Sequence, residues 1–527
     1  MDYNAIINLA TGFVLFVVAI KYDIHMFQLN SYRYSRYFRW LFPANIHTHN
    51  KWLILVASLC LLFQLAFTYT NDNSLCFYFP FILLPAIAYI VYEIKTGKSY
   101  KTPLVFTDRI KRLYTTSLLL YIVGIAISVT FIPNHVTVVA ALGLLFSNIV
   151  MLVANIVNTP LEKSINRYYY NDAKKIIRSN KNLIVIGITG SFGKTSTKNY
   201  LANLLAEKYN VLVTPGNFNT LLGVVRTIRE QLRPYHQVFI VEMGAKQQGD
   251  IQEICDLVQP SIGIITAVGE MHLETFKCVE NIQKTKFELI NSLKESGLGI
   301  INVDSQLAFE FKGITSNCKL LTYAIERNAM LKAENVEYNA NGISFTANGD
   351  EFASRLLGAG NLLNMLAAIA VAKHLSVPVA KQKSAIARLQ PVEHRLSMRR
   401  ANSITVLDDA YNSNPQGAKM ALDVLRNFAV NENNKRIVIT PGFVEMGSRQ
   451  YEANKELGEY IAKSCDYAIV VNATNRDAIK SGLEIQNFAN DKLFLADSLN
   501  HAHMHLATIL KAGDVVLYEN DLPDNFK

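Results

Sequence analysis

Gly187-Ile188-Thr189-Gly190-Ser191-Phe192-Gly193-Lys194-Thr195-Ser196 closes an apolar run at 183–188 and opens a helix-like stretch that reaches Lys208. Strand, glycine loop, helix is the order in which an α/β sheet builds a phosphate site. A phosphate chain needs close backbone N–H donors, and Gly190 and Gly193, either side of Ser191, permit that approach sterically. Lys194 supplies a cation for the β- and γ-phosphates, and Thr195, followed by Ser196, offers a hydroxyl to magnesium at a helix N-terminus. The bland alternative, a chance glycine turn, does not explain both flanks. The segment therefore predicts a domain that binds ATP and Mg2+.

Upstream the composition changes. The chain has 527 residues, enough for about three domains. It is 50% hydrophobic, but the long uncharged runs fall within the first 160 residues. Five of them, 4–20, 52–70, 77–92, 115–132 and 136–157, have or approach the length that crosses a bilayer core. The third is short and carries Pro80 and Pro85. The first lacks a basic leader and a cleavage site, so it reads as a retained segment, not a signal peptide.

Lys21, Arg33, Arg36, Arg39 and Lys51 lie between the first two runs, and Lys95, Lys98, Lys101, Arg109, Lys111 and Arg112 between the third and fourth. Both loops are expected on the cytoplasmic side. The connections at Asp72 and Asn134 carry no Lys or Arg, so the N-terminus is expected outside and residue 160 in the cytoplasm, where ATP is available. Tyr32, Tyr34, Tyr37 and Trp40 alternate with the first loop's arginines, which suits an interfacial anchor or a lipid-phosphate site. The net charge of +9 is accordingly assigned to membrane lipids as partners, with no nucleic acid. The six cysteines form no C-x-x-C pair and have no histidine at zinc-finger spacing, so a disulfide framework or metal cluster has little support.

Downstream, several strings follow in one order. Thr189-Gly190 with two residues before Gly193-Lys194 resembles the T-G-[ST]-x-G-K-[ST] loop of the Mur ligase superfamily, and the resemblance covers residues 180–527. Its best match is the branch that adds D-alanyl-D-alanine to the muramoyl peptide. Asn217, Asn219 and Thr220 resemble the family's asparagine loop, with Leu221 where many members have proline. The resemblance makes Glu242, in Val-Glu-Met-Gly-Ala, a magnesium ligand, and His272, in His-Leu-Glu, a contact to a second magnesium. It makes Lys286 a carbamylated, metal-bridging lysine. Asn361 and Asn364 resemble the two amides of the family's G-x-H-N-x-x-N string, whose second Asn, here Asn364, reads adenine, although Gly360 stands where the family has His.

Beyond a boundary at Pro391-Val392, Arg395 resembles the hinge arginine that meets the γ-phosphate. Asp408-Asp409-Ala410-Tyr411-Asn412-Ser413-Asn414-Pro415 resembles the branch's signature. By that likeness Asp409 contacts ribose, while Tyr411, Asn412 and Asn414 shape the pocket for the amine. Thr440-Pro441-Gly442-Phe443-Val444-Glu445-Met446-Gly447 departs from the branch's G-D-M-x-E-L-G but keeps the glutamate and final glycine.

The expected architecture is an α-helical membrane region (1–160) followed by α/β: a P-loop central domain with a mostly parallel sheet (161–392) and a Rossmann-like C-terminal domain (393–527). The expected activity is an ATP-dependent, ADP-forming amide ligase of cell-wall (peptidoglycan) precursor synthesis, with Lys194, His272, Lys286 and Arg395 as its catalytic set. It would sit in the cell membrane as a multi-pass protein with cytoplasmic catalytic domains. The membrane segments stand where the family has its UDP-sugar domain, which suggests a lipid-linked acceptor and an amino acid or dipeptide amine. The competing readings are a polymer-forming amide ligase, of the poly-glutamate or cyanophycin kind, and a nucleotide-driven transporter, for which no ABC-type signature is evident.

Overall fold

A computed structural model describes residues 3–41, 103–132 and 136–522, apart from 217, 312, 340, 402, 412–413 and 429–432. It divides into a helical unit ending at Arg167 and a second unit from Tyr168 to Leu522.

The helical unit opens with Tyr3–Leu29, one uninterrupted helix. Sequence reading ends the first crossing at residue 20, before Lys21 and Asp23. The helix instead continues, and its membrane-length apolar window is Gly12–Leu29. The reason is that Asp23 is buried, where its carboxyl accepts from the Ser147 hydroxyl at 2.6 Å and the Tyr37 hydroxyl at 3.4 Å. A satisfied polar group inside a helix pack does not stop the helix. Asp108–Phe131 begins ahead of the expected 115–132 because the Thr107 hydroxyl caps it, accepting from the N–H of Ile110.

The expected crossing at 136–157 is not one straight helix. Val136–Leu145 and Ser147–Ser179 meet at a 77° bend, beside the Ser147 hydroxyl that faces Asp23. Among the described residues, two helices are long and apolar enough to cross a membrane, or three if the bent pair is one span. The expected segments 52–70 and 77–92 lie outside the described residues.

In the second unit β1 (Ile184–Thr189), β2 (Val211–Val213), β3 (Val238–Glu242), β4 (Ile262–Ile265), β5 (Leu298–Asn302), β6 (Lys319–Ala324), β7 (Leu331–Asn339), β8 (Gly342–Ala347) and β9 (Asp350–Ser354) form one sheet. Its order is β2-β3-β1-β4-β5-β6-β7-β8-β9, parallel as far as β7. Period-two alternation explains its burial. Ile186, Ile188 and Ile240 face the helices Lys194–Ala206 and Gly358–His374, while Val185, Phe239 and Val241 face Ile251, Ile254, Leu289 and the helix end bearing Ala173 and Ile177. Strands covered on both faces read as continuous apolar runs, as β1, β3 and β4 do. The chain leaves β1 towards β2 on one side and β4 towards β5 on the other, the reversal of strand order beyond which open α/β sheets place their ligands.

The C-terminal sheet comprises β10 (Ser397–Ala401), β11 (Ile404–Asp409), β12 (Arg436–Thr440), β13 (Tyr467–Val471), β14 (Leu493–Ala496) and β15 (Val515–Glu519). Its order is β10-β11-β15-β12-β13-β14, parallel except at β10–β11. The α/β expectation, with mostly parallel sheets, matches this architecture.

Candidate active site

The glycine loop after β1 is held from below by the β4 exit. Ser191 donates its N–H to the carbonyl of Ala267 at 2.8 Å, and its hydroxyl joins the carbonyl (2.9 Å) and N–H (3.0 Å) of Gly269. The Ser191 side chain therefore pins the loop, a different use from the expected contact with nucleotide. Thr266 donates to the carbonyl of Phe192 at 2.5 Å. Gly190 is required because any side chain there would run into the Thr266 hydroxyl, and Gly193 adopts φ 81° at the helix start, facing Asn364.

Lys194 folds back on the loop it is expected to serve, donating to the carbonyls of Gly190 (2.7 Å) and Ser191 (3.1 Å). Burial, with Arg395 adding and Glu242 opposing, holds its ammonium down at about 8. Thr195 and the buried Ser196 open the helix beside it.

Glu242 ends β3 and is buried. Its Oε1 accepts from the Asn219 amide at 3.1 Å, while Oε2 forms an ion pair with the Lys198 ammonium at 3.1 Å. Burial raises this carboxyl, yet Lys198, Lys194 and the Asn219 amide together bring it below the usual carboxylate range. Lys198 also donates to the carbonyls of Thr214 (2.9 Å) and Gly216 (2.7 Å), tying the asparagine loop to the nucleotide loop. Thr220 caps the helix Leu221–Gln231 through the N–H of Gly223, and Asn217 lies outside the described residues.

Lys286 is buried on the helix Val279–Asn291. Burial first, then Lys194, pushes its amine down to about 7 against Glu288 and Asp250. His272 has its Nδ1 2.5 Å from Glu445 Oε2; burial lowers its basicity, Lys246 and Lys286 add, and Glu445 opposes. Arg395 stacks 4.3 Å over the Tyr411 ring and lies between His394 and Leu396, both at positive φ. Asp409 is raised to about 6 by burial, against Arg395, and accepts from the N–H of Leu396 at 2.9 Å. These mutual effects bring Lys194, Glu242, Lys286, His272 and Arg395 into one electrostatic neighbourhood.

Three expected site residues also hold the fold together. Asn361 accepts from the Tyr200 hydroxyl at 2.8 Å and donates to the carbonyl of Leu357 at 2.9 Å, so its amide joins two helices. Asn364 is buried beside Gly193 and accepts from Thr197 at 3.0 Å. Asn414 is the buried cap of Pro415–Asn427, accepting from the N–H groups of Gln416 and Gly417, a position that Asn-Pro favours. Asn412 lies outside the described residues.

Sequence reading did not single out Lys198 or Thr266. Lys198 had a signal, since it stands one helical turn after Lys194 on the face turned to the sheet. Among the described residues no cluster of three or more His, Cys, Asp or Glu suits a metal ion. The strand-end carboxylate of Glu242, the helix-start hydroxyl of Thr195 and a phosphate loop nevertheless fit Mg2+ as a donor set, since that ion is commonly held by one or two carboxylates plus nucleotide phosphates.

The Mur ligase middle-domain model matches residues 188–372, and the Mur ligase glutamate ligase domain model matches 394–518. A UDP-N-acetylmuramoyl-tripeptide–D-alanyl-D-alanine ligase of Bacillus subtilis is 29% identical over 53% of the chain; the match spans 60% of that relative's length. The MurF ligase of Thermotoga maritima, solved with ADP, is 28% identical with a TM-score of 0.59, covering 68% of this chain and 80% of that one. MurF of Acinetobacter baumannii, at 23% identity and TM-score 0.61 over 68% and 77% of the two chains, shares the fold. With both catalytic domains matched in order, over the glycine loop, Glu242, His272, Lys286 and Arg395, the chain belongs to the Mur ligase superfamily.

Proposed function

We propose that the chain is a membrane-anchored, ATP-dependent ligase that joins an amine to the carboxylate of a cell-wall precursor through an acyl phosphate. The observation that supports this most is that Lys194, Glu242, Lys286, His272 and Arg395 lie close enough to shift one another's charge, around a glycine loop and a strand-end carboxylate, in two domains that match the family. The acceptor carboxylate attacks the γ-phosphorus of ATP, the bond to ADP breaks, and the amine then displaces phosphate from the acyl carbon. Lys194 and Arg395 neutralise charge on the transferring group, where most stabilisation of phosphoryl transfer arises. Thr195 and Glu242 would hold one Mg2+, and His272 with Lys286 a second. The cations supply charge neutralisation and orientation of the phosphates.

Lys286 suits carbamylation, because burial leaves part of its amine neutral at pH 7, and only the neutral amine adds CO2, releasing a proton. Asp409 is assigned to ribose, and Asn219, Tyr411 and the segments around Asn217 and Asn412 to the substrates.

The anchor reading rests on apolar side chains left exposed on the helical unit: Leu119, Ile122, Val123, Ile127 and Phe131 on one helix, Ile149, Val153, Ile156 and Val157 on another. Such a surface suits lipid. Residues 3–167 precede both family matches, and their arginines suit a lipid-linked diphosphate acceptor at headgroup level, with the catalytic domains on the cytoplasmic side.

The test gives purified full-length protein Mg-ATP, D-alanyl-D-alanine or single amino acids, and either lipid-linked or UDP-linked muramoyl tripeptide, and identifies products by mass spectrometry. Ligation of the lipid-linked acceptor in preference to the UDP-linked one is expected. Equal or better use of the UDP-linked acceptor refutes the lipid assignment, and no ligation of either refutes the activity.

A further inference from the structure

Glu445 belongs to the loop after β12, yet its side chain reaches across to the central domain. Its Oε2 lies 2.5 Å from His272 Nδ1, and its carbonyl accepts the N–H of Glu274 at 3.2 Å. Both residues are held in the left-handed region, with φ 54° at His272 and 61° at Glu445, a conformation that persists in non-glycine residues only where the surroundings impose it. Arg449 to Glu270, at 3.2 Å, is a second bridge between the same two domains.

The chemistry of the contact is directional. A carboxylate only accepts, so the ring nitrogen facing it carries the proton. A neutral ring with its proton on Nδ1 has a bare lone pair on Nε2, the form in which histidine ligates metals.

We propose that Glu445 is a positioning residue which fixes His272 as the Nδ1–H tautomer and presents Nε2 to the second divalent cation, so that this cation position is complete only when the C-terminal domain is docked. The cation's identity rests on the ligase reading; the tautomer does not.

The test uses full-length protein with 15N-labelled histidine, reading the His272 tautomer by solid-state NMR, and measures Mn2+ affinity in the presence of ADP by electron paramagnetic resonance. Wild type is expected to show Nδ1–H. Glu445→Ala should lose that preference and bind Mn2+ about 10- to 100-fold more weakly, the usual effect of removing a group that orients a metal-bound histidine. Glu445→Gln, whose amide oxygen still accepts, should keep the tautomer, and so carries the test if the alanine variant does not fold. Arg449→Ala should change neither readout. Nε2–H in the wild type, or Mn2+ affinity within about twofold in Glu445→Ala, overturns the proposal. An equal loss in Arg449→Ala overturns it in favour of docking alone. A wild type that binds no Mn2+ with ADP overturns the cation half together with the ligase reading, leaving the tautomer to be judged separately.

Discussion

Replacing Lys198 by methionine removes one partner of an ion pair whose side chains are each 2% exposed and 3.1 Å apart. It also removes two hydrogen bonds to the carbonyls of Thr214 and Gly216. Deleting one member of a buried pair costs about 3–5 kcal/mol, because the other charge stays buried and uncompensated. At about 2–4 °C per kcal/mol for a domain of this size, Tm should fall by roughly 6–20 °C. The sign of the pH dependence follows from Glu242. In the wild type its carboxyl is held below the ordinary range, so its contribution is present above about 4.5 and lost as pH falls. In Lys198→Met burial is less opposed, the carboxyl takes a proton more readily, and the deficit should shrink on acidification. Thermal melts at two pH values read both effects. Lys198→Met/Glu242→Gln, which removes both charges, should recover part of the loss. A deficit under about 1 kcal/mol at pH 7, or strictly additive single variants, would refute the reasoning.

Lys194→Ala should reduce ADP release by at least about 100-fold, since a transition-state donor is typically worth that much, and near-normal release in a coupled assay would sink the phosphate assignment. Because Lys194 is held at about 8, binding of ATP should take up a proton and weaken as pH rises through that value; calorimetry in buffers of different ionisation enthalpy reads the uptake. Lys286→Ala should lose activity and regain some with added short carboxylates, whereas an active Lys286→Arg enzyme would rule out the carbamate. A reporter fused after Asn134 should be active only if exported and one after Lys101 only if cytoplasmic; the reverse pattern overturns the assigned orientation.

The central domain was legible because its parallel strands are apolar on both faces and its glycine loop has a steric reason at each glycine. The helical unit was legible as helices but not in its bounds. Lys21 and Asp23 read as the end of a crossing, and the helix continues because Asp23 finds hydroxyl partners in Tyr37 and, more than a hundred residues away, Ser147. Side-chain roles were less legible for the same cause. Asn361, Asn414 and Ser191 sit in strings that resemble substrate-binding motifs, yet their polar atoms close hydrogen bonds within the fold, to Tyr200, to a helix N-terminus and to Gly269. Residue type announces what an amide can do; which donor is nearest is a matter of tertiary contact. Lys198 shows the converse: its place one turn after Lys194 hints at the sheet-facing side of the helix, but its partner Glu242 is known only once the strand is placed opposite it.

The most direct measurement follows oxygen through the reaction. An acceptor labelled with 18O in its carboxylate is incubated with the full-length protein, Mg-ATP and amine, and the released phosphate is analysed by mass spectrometry. Attack of the carboxylate on the γ-phosphorus requires one labelled oxygen in each phosphate released, in step with amide formed. Phosphate labelled only from solvent water, or ADP released with no dependence on acceptor and amine, would contradict an acyl-phosphate ligase.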